Sequence, residues 1–199
     1  MSKLYYRYGA MGSGKSAALL QVVHNYEQMG MTVVLVKPAI DTKGNDKVVS
    51  RIGIEHTVDI LLAPNEILQD KMKPIKPHAI VVDEAQFLTS TQVEELYIIT
   101  KKYDIPVLCY GLRCDFQMNG FEGSTRLLQL ADDIEELKTI CHCGAKATQN
   151  VRWVNQQPTF DGEQIVIDDI VPSEENNDEL STESAQDVEN IEAPMPARE

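Results

Sequence analysis

Apolar or aromatic runs alternate along the first part of the chain with segments whose apolar residues recur at helical spacing. The runs predict buried strands over residues 4–8, 32–36, 79–82 and 106–110. Helical spacing predicts helices from residue 16 onward, over 92–103 and over 124–130, with a weaker helix over 64–73 and a polar loop over 41–50. Strands that alternate with helices indicate an α/β fold in which a parallel sheet carries helices on both faces.

A glycine-rich segment joins the first predicted strand to the first predicted helix and matches the pattern G-x4-G-K-[ST]. It consists of Gly9, Ala10, Met11, Gly12, Ser13, Gly14, Lys15 and Ser16. Glycines at these positions let the backbone turn its N–H groups toward phosphate oxygens. Lys15 would reach the β- and γ-phosphates of ATP, and Ser16 would place its hydroxyl on Mg²⁺. A chance glycine turn is the alternative, and the flanking strand and helix disfavour it.

Two carboxylates follow the strand predicted over 79–82, in the pattern known as Walker B. Asp83, at the strand end, is placed to hold Mg²⁺ through water. Glu84 points differently and is available as a general base for phosphoryl transfer to an alcohol. An ordinary Asp-Glu pair at a strand end is common, but behind a complete phosphate loop a functional role is favoured.

Net charge is distributed unevenly along the 199 residues. The nine acidic residues and one basic residue from Pro172 onward account for most of the net charge of −13. This composition predicts a disordered acidic tail over 172–199, and a solubilising role is its simplest interpretation. The rest of the chain carries no basic stripe, which argues against a nucleic acid polymer as a partner.

The remaining composition bears on the cellular compartment. No apolar run is long enough to span a membrane, and Lys3 and Arg7 interrupt what would be an apolar signal region. Four cysteines without a secretory context indicate thiols or metal ligands rather than disulfides. We therefore expect a cytoplasmic protein without a membrane partner.

Five further segments carry a specific signature through their order and spacing. They are Ser50–Gly53, Asp83–Phe87, Cys109–Phe116, Lys138–Gly144 and Gly162–Ile167. With the phosphate loop, they make the chain resemble the type II thymidine kinases, the cellular and bacterial group, from about residue 4 to residue 167. The resemblance implies a P-loop NTPase core that transfers phosphate from ATP to the 5′-hydroxyl of thymidine. It also implies a homo-oligomer, a tetramer or a dimer.

The resemblance assigns roles to individual residues. Glu84 matches the catalytic base of the family, and Asp83 matches its magnesium-associated acid. The nucleotide-contacting stretch is matched by Asp83, Glu84, Ala85 and Gln86. The surroundings of the thymine ring are matched by Phe87, Leu112, Phe116 and Phe121. An aromatic face with apolar walls suits a nucleobase, although plain core packing explains Phe87 and Leu112 about equally well.

One position near the phosphates departs from the family pattern. Asp41 matches an acidic residue after the second strand, and the family usually continues from there to an arginine. Here the corresponding residue is Lys43. Lysine keeps the charge but lacks the bidentate fork of arginine, so we expect weaker transition-state stabilisation.

The C-terminal part departs further. Cys141 and Cys143 match the first of two ligand pairs that hold a structural Zn²⁺ in the family, but no cysteine or histidine follows Cys143. Two thiolates alone are inadequate for Zn²⁺, although Asp168 or Asp169 could complete a site. We therefore expect a P-loop kinase domain over 1–138, an incomplete zinc-ribbon-like lobe over 139–171 and the acidic tail.

The segment that is missing between the two zinc halves is the family's lasso, which closes over the thymine and hydrogen-bonds its edge. Without it, discrimination through paired hydrogen bonds would fall. The main hypothesis is an active thymidine kinase, and one alternative is a catalytically weak or inactive nucleotide-binding paralogue that acts as a regulator. Another is a P-loop ATPase that hydrolyses ATP to drive motion. Intact Lys15, Asp83 and Glu84 favour the kinase over the inactive paralogue, and dependence on a nucleoside acceptor separates the kinase from the ATPase.

Overall fold

The computed structural model describes residues 1–41, 46–154, 157–162 and 164, and the backbone of 179–183. Its first part contains β1 (Leu4–Tyr8), α1 (Lys15–Gln28), β2 (Val33–Pro38), β3 (Lys47–Val49), β4 (Glu55–Thr57), β5 (Ile60–Leu62), α2 (Leu68–Met72), β6 (Ala79–Val82), α3 (Ser90–Lys102), β7 (Val107–Gly111), α4 (Glu122–Leu130) and β8 (Asp133–Glu136). Its second part contains β9 (Thr139–Ile140), β10 (Lys146–Ala147), β11 (Gln149–Val154), β12 (Gln157–Thr159) and β13 (Glu179–Glu183).

A six-stranded parallel sheet forms the centre of the fold, with strand order β5-β2-β6-β7-β1-β8. Its two central strands, β6 and β7, are buried on both faces, so their sequences are continuously apolar rather than alternating. On one face, Ile80 and Val82 pack in a cluster with Leu96 and Ile99 of α3. On the other face, Val81 packs in a cluster with residues of α1. The predicted α/β fold with helices on both faces is confirmed.

The sequence analysis did not predict two strands of this sheet, β8 and β5. The edge strand β8 reads Asp-Ile-Glu-Glu, and its exposed side chains give no apolar run, yet its backbone pairs with β1. Strand β5 has only three residues and lies at the opposite edge. Edge strands are buried on fewer sides than inner ones, so their sequences carry a weaker hydrophobic signal.

The N-terminus of α3 shows how capping sets a helix boundary. Thr89 accepts a hydrogen bond from the Gln92 backbone N–H at 3.3 Å, and the Gln92 side chain accepts one from the Thr89 N–H at 3.1 Å. This reciprocal capping box starts the helix at Ser90, two residues before the boundary that the apolar spacing predicts.

The polar segment predicted as a loop over 41–50 is partly ordered into a strand. Strands β3 and β4 form an antiparallel hairpin that pairs Val48 with His56. Val48 is buried against the α1 face of the sheet, whereas its neighbours on β3 are not. Val48, together with Val58 directly after β4, thus anchors the hairpin beside the sheet.

The second part of the chain is built from antiparallel strands. β9 and β10 form a short hairpin, and β11 lies between β12 and β13 in a three-stranded sheet. β13 lies within the segment for which the sequence predicts a disordered tail, and the rest of that segment lies outside the described residues, so the tail stays a prediction. Backbone pairing with β11 supplies the order there, and such pairing has no local compositional signal.

Candidate functional site

The glycine-rich loop joins β1 to α1, as predicted. Gly12 and Gly14 both have φ of +79°, a left-handed conformation that strains residues carrying a Cβ. The Lys15 ammonium donates hydrogen bonds to the carbonyls of Gly9 and Ala10, each at 3.0 Å. Lys15 therefore reaches back over the loop itself, where an incoming phosphate would meet its positive charge.

A cleft of about 220 Å³ opens between this loop, the β3–β4 hairpin and the carboxyl ends of the central strands. Its lining includes Lys15 and Ser16 together with Glu84, which is far from them in the sequence. Leu112, which follows β7, also lines it. The structure thus brings the predicted phosphate-binding residues, the predicted base and one predicted thymine contact to a single cleft.

The hairpin turn after β3 supplies a cleft residue that the sequence analysis used only as part of a family signature. Arg51 lines the cleft, and its Nη1 lies 3.4 Å from the position that a Cβ on Gly12 would occupy. The turn is held by hydrogen bonds between the Ser50 hydroxyl and the backbone of Ile54, both at 3.0 Å. An exposed guanidinium beside the phosphate loop adds positive charge where nucleotide phosphates would lie.

Asp83 lies at the end of β6 and is only 5% exposed. Burial, and then the adjacent Glu84 carboxylate, raise the pKa of the Asp83 carboxyl, because both disfavour its ionised form. A buried ion pair lies nearby, in which Lys37 contacts Asp41 at 3.1 Å. The Ser16 hydroxyl and the Asp83 carboxylate are the hard oxygen donors that Mg²⁺ prefers, and a divalent cation would offset the cost of ionising Asp83. The donor chemistry of these two residues suits Mg²⁺, but only Ser16 is among the residues that line the cleft, so their assignment to one magnesium site stays a prediction.

Glu84 adopts a backbone conformation that is uncommon for a residue with a side chain, with φ of +47° and ψ of +40°. It directly precedes a single 3-10 turn formed by Ala85–Phe87. Left-handed backbone at a non-glycine residue costs on the order of 1 kcal/mol or more and clusters at functional sites. Ala85 and Gln86 are buried in this turn, so neither exposes its side chain to the cleft.

The four residues predicted around thymine occupy different surroundings. Leu112 lines the cleft, and its carbonyl accepts hydrogen bonds from the hydroxyls of Tyr6 and Ser124. Phe87 and Phe121 contact each other edge-to-face, with ring centroids 5.7 Å apart. Phe116 is buried beneath the Arg152 guanidinium, which lies 3.9 Å from its ring centroid.

The cleft lining described for the chain contains Leu112 but not the three phenylalanines. Their assignment to the thymine site stays a prediction.

The C-terminal lobe contacts this aromatic region through buried polar groups. Asp115 is 3% exposed and accepts hydrogen bonds from the backbone N–H groups of Gln117 and Asn119. Its other oxygen accepts a hydrogen bond from the Gln164 amide at 2.9 Å. Gln164 belongs to the Gly-Glu-Gln signature, which is thereby tied to the loop that carries Phe116.

The lobe also contacts the phosphate loop. Asn150 of β11 accepts a hydrogen bond from the Met11 backbone N–H at 2.9 Å and is 6% exposed. The sequence analysis missed this residue, because a single asparagine in a strand of another sheet carries no local signal. Asn150 fixes the backbone at the turn of the phosphate loop.

The predicted zinc ligands lie on the β9–β10 hairpin. Cys141 is buried and Cys143 is exposed, and the Gly144 N–H donates to the Cys141 carbonyl at 2.9 Å in the turn between the strands. Within the described part of the chain, no group of three or more His, Cys, Asp or Glu side chains is arranged to hold a metal ion. Asp168, Asp169 and Lys43 lie outside the described residues.

No helix in the described part of the chain is long and apolar enough to cross a bilayer.

Replacing Asn150 with alanine is expected to weaken ATP binding about fivefold, because the partly buried backbone N–H of Met11 would lose its acceptor. Titration calorimetry of ATP binding measures the change. Asn25→Ala, on the exposed side of α1, is the matched control and should bind ATP like the unmodified chain. Equal affinity of the Asn150→Ala and unmodified chains would contradict a role for this contact.

Replacing Asp83 with asparagine is expected to raise the free energy of unfolding of the metal-free protein by about 1 kcal/mol at pH 8. The pKa of Asp83 is raised in the folded state, so ionisation of Asp83 destabilises the fold. This destabilisation develops as the pH rises above the ordinary aspartate pKa, and it is absent when the pH is below that value.

Denaturant titrations of both chains in EDTA at pH 8 and pH 4 test this expectation for Asp83. The difference should be present at pH 8 and absent at pH 4. The exposed Asp70→Asn should change little at either pH, since Asp70 forms only a surface pair with Lys73. A less stable Asp83→Asn chain at pH 8 would contradict the expectation.

Comparison with known proteins agrees with the architecture of the site. A family model described as thymidine kinase matches residues 2–169. The chain is 49% identical over 175 residues to a thymidine kinase of Rhodopirellula baltica, which covers 84% of this chain and 82% of that protein. It is 46% identical over 170 residues to a thymidine kinase of Streptococcus gordonii, covering 84% of this chain and 89% of the relative.

A thymidine kinase of Enterobacteria phage T4 is 45% identical over 176 residues, covering 85% of this chain and 90% of that protein. The range that the family model matches spans the phosphate loop and the acid pair. The chain belongs to the thymidine kinase family.

Proposed function

We propose that this chain transfers the γ-phosphate of ATP to the 5′-hydroxyl of thymidine, giving ADP and thymidine 5′-phosphate, a salvage step that supplies DNA synthesis. The observation that carries the proposal is the cleft shared by Lys15, Ser16 and Glu84. A kinase needs a phosphate cradle and a base for the acceptor hydroxyl on the same side of one cleft. Membership of the thymidine kinase family identifies thymidine as the acceptor.

In this proposal the phosphate loop holds the nucleotide. Backbone N–H groups of the loop and the Lys15 ammonium bind the β- and γ-phosphates, and Arg51 approaches them from the hairpin. Ser16 and Asp83 would hold Mg²⁺, which supplies positive charge to the phosphate oxygens when it is bound. Arg51 also offers close to the loop the bidentate guanidinium fork that a lysine side chain lacks.

Glu84 acts as the general base. Its carboxylate accepts the proton of the thymidine 5′-hydroxyl as that oxygen attacks the γ-phosphorus and the bond to the ADP oxygen breaks. We assign Leu112 to the wall of the acceptor pocket because it lines the same cleft. Phe87, Phe116 and Phe121 complete the thymine surroundings in this proposal, on the strength of the family resemblance.

The oligomeric state and the cellular compartment are proposed from family membership alone. We propose a homo-oligomer, a tetramer or a dimer, in the cytoplasm, where reduced cysteines would persist. Light scattering behind a sizing column distinguishes these states from a monomer.

Replacing Glu84 with glutamine is expected to lower turnover by a factor of about 10²–10⁴, with ATP affinity nearly unchanged. Glutamine preserves the shape and can still accept a hydrogen bond, but it cannot take a proton at neutral pH. Steady-state kinetics with thymidine and calorimetry with ATP give the two quantities. Glu94→Gln, on the exposed face of α3, is the control and should turn over normally. Unchanged turnover in Glu84→Gln would remove this residue from the mechanism.

The direct test of the function is ATP-dependent phosphorylation of radiolabelled thymidine, with deoxycytidine as the control acceptor. The expected result is transfer to thymidine and not to deoxycytidine. ATP binding without transfer would instead favour the nucleotide-binding regulator, and ATP hydrolysis without any nucleoside would favour the ATPase. Parallel reactions with Zn²⁺ and with a chelator test whether Cys141 and Cys143 belong to a metal site that activity needs.

A further inference from the structure

Gln86 occupies a buried position between the candidate base and the loop after β7. Its side chain is 2% exposed. Its amide nitrogen donates a hydrogen bond to Oε2 of Glu84 at 2.5 Å, and its amide oxygen accepts one from the Leu112 backbone N–H at 3.0 Å. One neutral side chain therefore connects the predicted base to a residue of the acceptor wall.

This bridge requires an amide. The partner on one side is a carboxylate, which only accepts hydrogen bonds, and the partner on the other side is an N–H, which only donates them. A glutamate at position 86 would place two carboxylates together, and a methionine would leave both partners unsatisfied. Only an amide of this length satisfies both groups at once, because asparagine is one methylene shorter.

The backbone around Gln86 leaves room for this arrangement. A Cβ on Gly111, the last residue of β7, would lie 2.6 Å from the Gln86 amide oxygen and 3.1 Å from its backbone nitrogen. Both distances are shorter than an ordinary van der Waals contact. The absence of a side chain at Gly111 is therefore what admits the Gln86 amide to the sheet edge.

Glu84 depends on such an anchor. Its left-handed backbone, with φ of +47°, turns the chain sharply between β6 and the 3-10 turn, and its side chain is only partly buried. When the hydrogen bond from Gln86 holds Oε2 of the Glu84 carboxylate, Oε1 remains available to the acceptor hydroxyl. The same bond fixes the orientation of the carboxylate. Positioning within a fraction of an ångström matters for proton transfer, and a misplaced group costs about 10²-fold in rate.

We propose that Gln86 is a positioning residue that orients the Glu84 carboxylate toward the acceptor hydroxyl and couples its position to the Leu112 loop. The inference rests on the proposed function, in which Glu84 is the base. It differs from the family-derived expectation that Gln86 contacts the nucleotide. Gln86 acts through Glu84 and is not itself a catalytic residue.

The test is a double-mutant cycle of Gln86→Met and Glu84→Gln, read out as kcat and KM for thymidine phosphorylation. Gln86→Met should lower kcat about 10- to 100-fold and change the KM for ATP less than about threefold. In the Glu84→Gln background the same substitution should cost less than about threefold, because no base remains to be oriented.

Two further variants separate positioning from folding. Gln92→Met removes another buried glutamine, which hydrogen-bonds the carbonyls of Ala63 and Glu66 away from the cleft, and it should leave kcat unchanged. Gly111→Ala should reproduce the loss of kcat by displacing the Gln86 amide, again only while Glu84 is present. Thermal unfolding shows whether each variant is folded. If Gln86→Met does not fold, Gly111→Ala replaces it in the test.

Several outcomes would overturn the inference. Normal kcat in Gln86→Met would do so, as would an equal loss in both backgrounds, which marks a structural role. A raised KM for ATP with normal kcat in Gln86→Met would indicate instead that Gln86 contacts the nucleotide. The unmodified and Glu84→Gln chains test the proposed function separately, since an inactive unmodified chain or a fully active Glu84→Gln chain would refute that function and this inference with it.

Discussion

The parallel pairing of β6, β7 and β1 is the constraint on which the candidate site depends. Parallel strands end at the same edge of their sheet, so the loops that follow them converge. The phosphate loop follows β1, the acid pair follows β6 and Leu112 follows β7. A hydrogen bond of 3.3 Å from the Gly9 N–H to the Gly111 carbonyl joins the start of the phosphate loop directly to the end of β7. β6 and β7 are buried on both faces, and Leu4 and Tyr6 of β1 are buried in the same core, so the spacing of the three strands cannot change without disturbing that core.

The site holds several features that stability alone would disfavour. Asp83 is buried beside another carboxylate, Glu84 has a left-handed backbone, and Lys37 is buried in an ion pair with Asp41. Each feature lowers the free energy of unfolding of the protein when no ligand is bound. Their concentration at one edge of an otherwise regular sheet is typical of a site organised for charged ligands rather than for packing.

The sequence predicted those parts of the molecule whose signal is local. The inner strands, the long helices, the phosphate loop and the acid pair each combine a composition with a spacing, and the structure places them as expected. The edge strand β8 could not be predicted from its charged residues, because backbone pairing with β1 forms it. Asn150 and Arg51 join the site through tertiary contacts between distant segments. Gln86 was noticed for its motif, but its link to Leu112 depends on the sheet, which the motif does not describe.

The hydrogen bond between Asn150 and the phosphate loop has a consequence for the C-terminal lobe. Binding free energies of coupled sites are reciprocal, so a lobe that supports the loop is itself held in place by a nucleotide bound there. Its strands would exchange amide hydrogens more slowly when the loop is occupied. Any change that disturbs the position of β11, including a change in its pairing with β13, would weaken nucleotide binding. Strand β13 would thereby be coupled energetically to the phosphate loop near the start of the polypeptide.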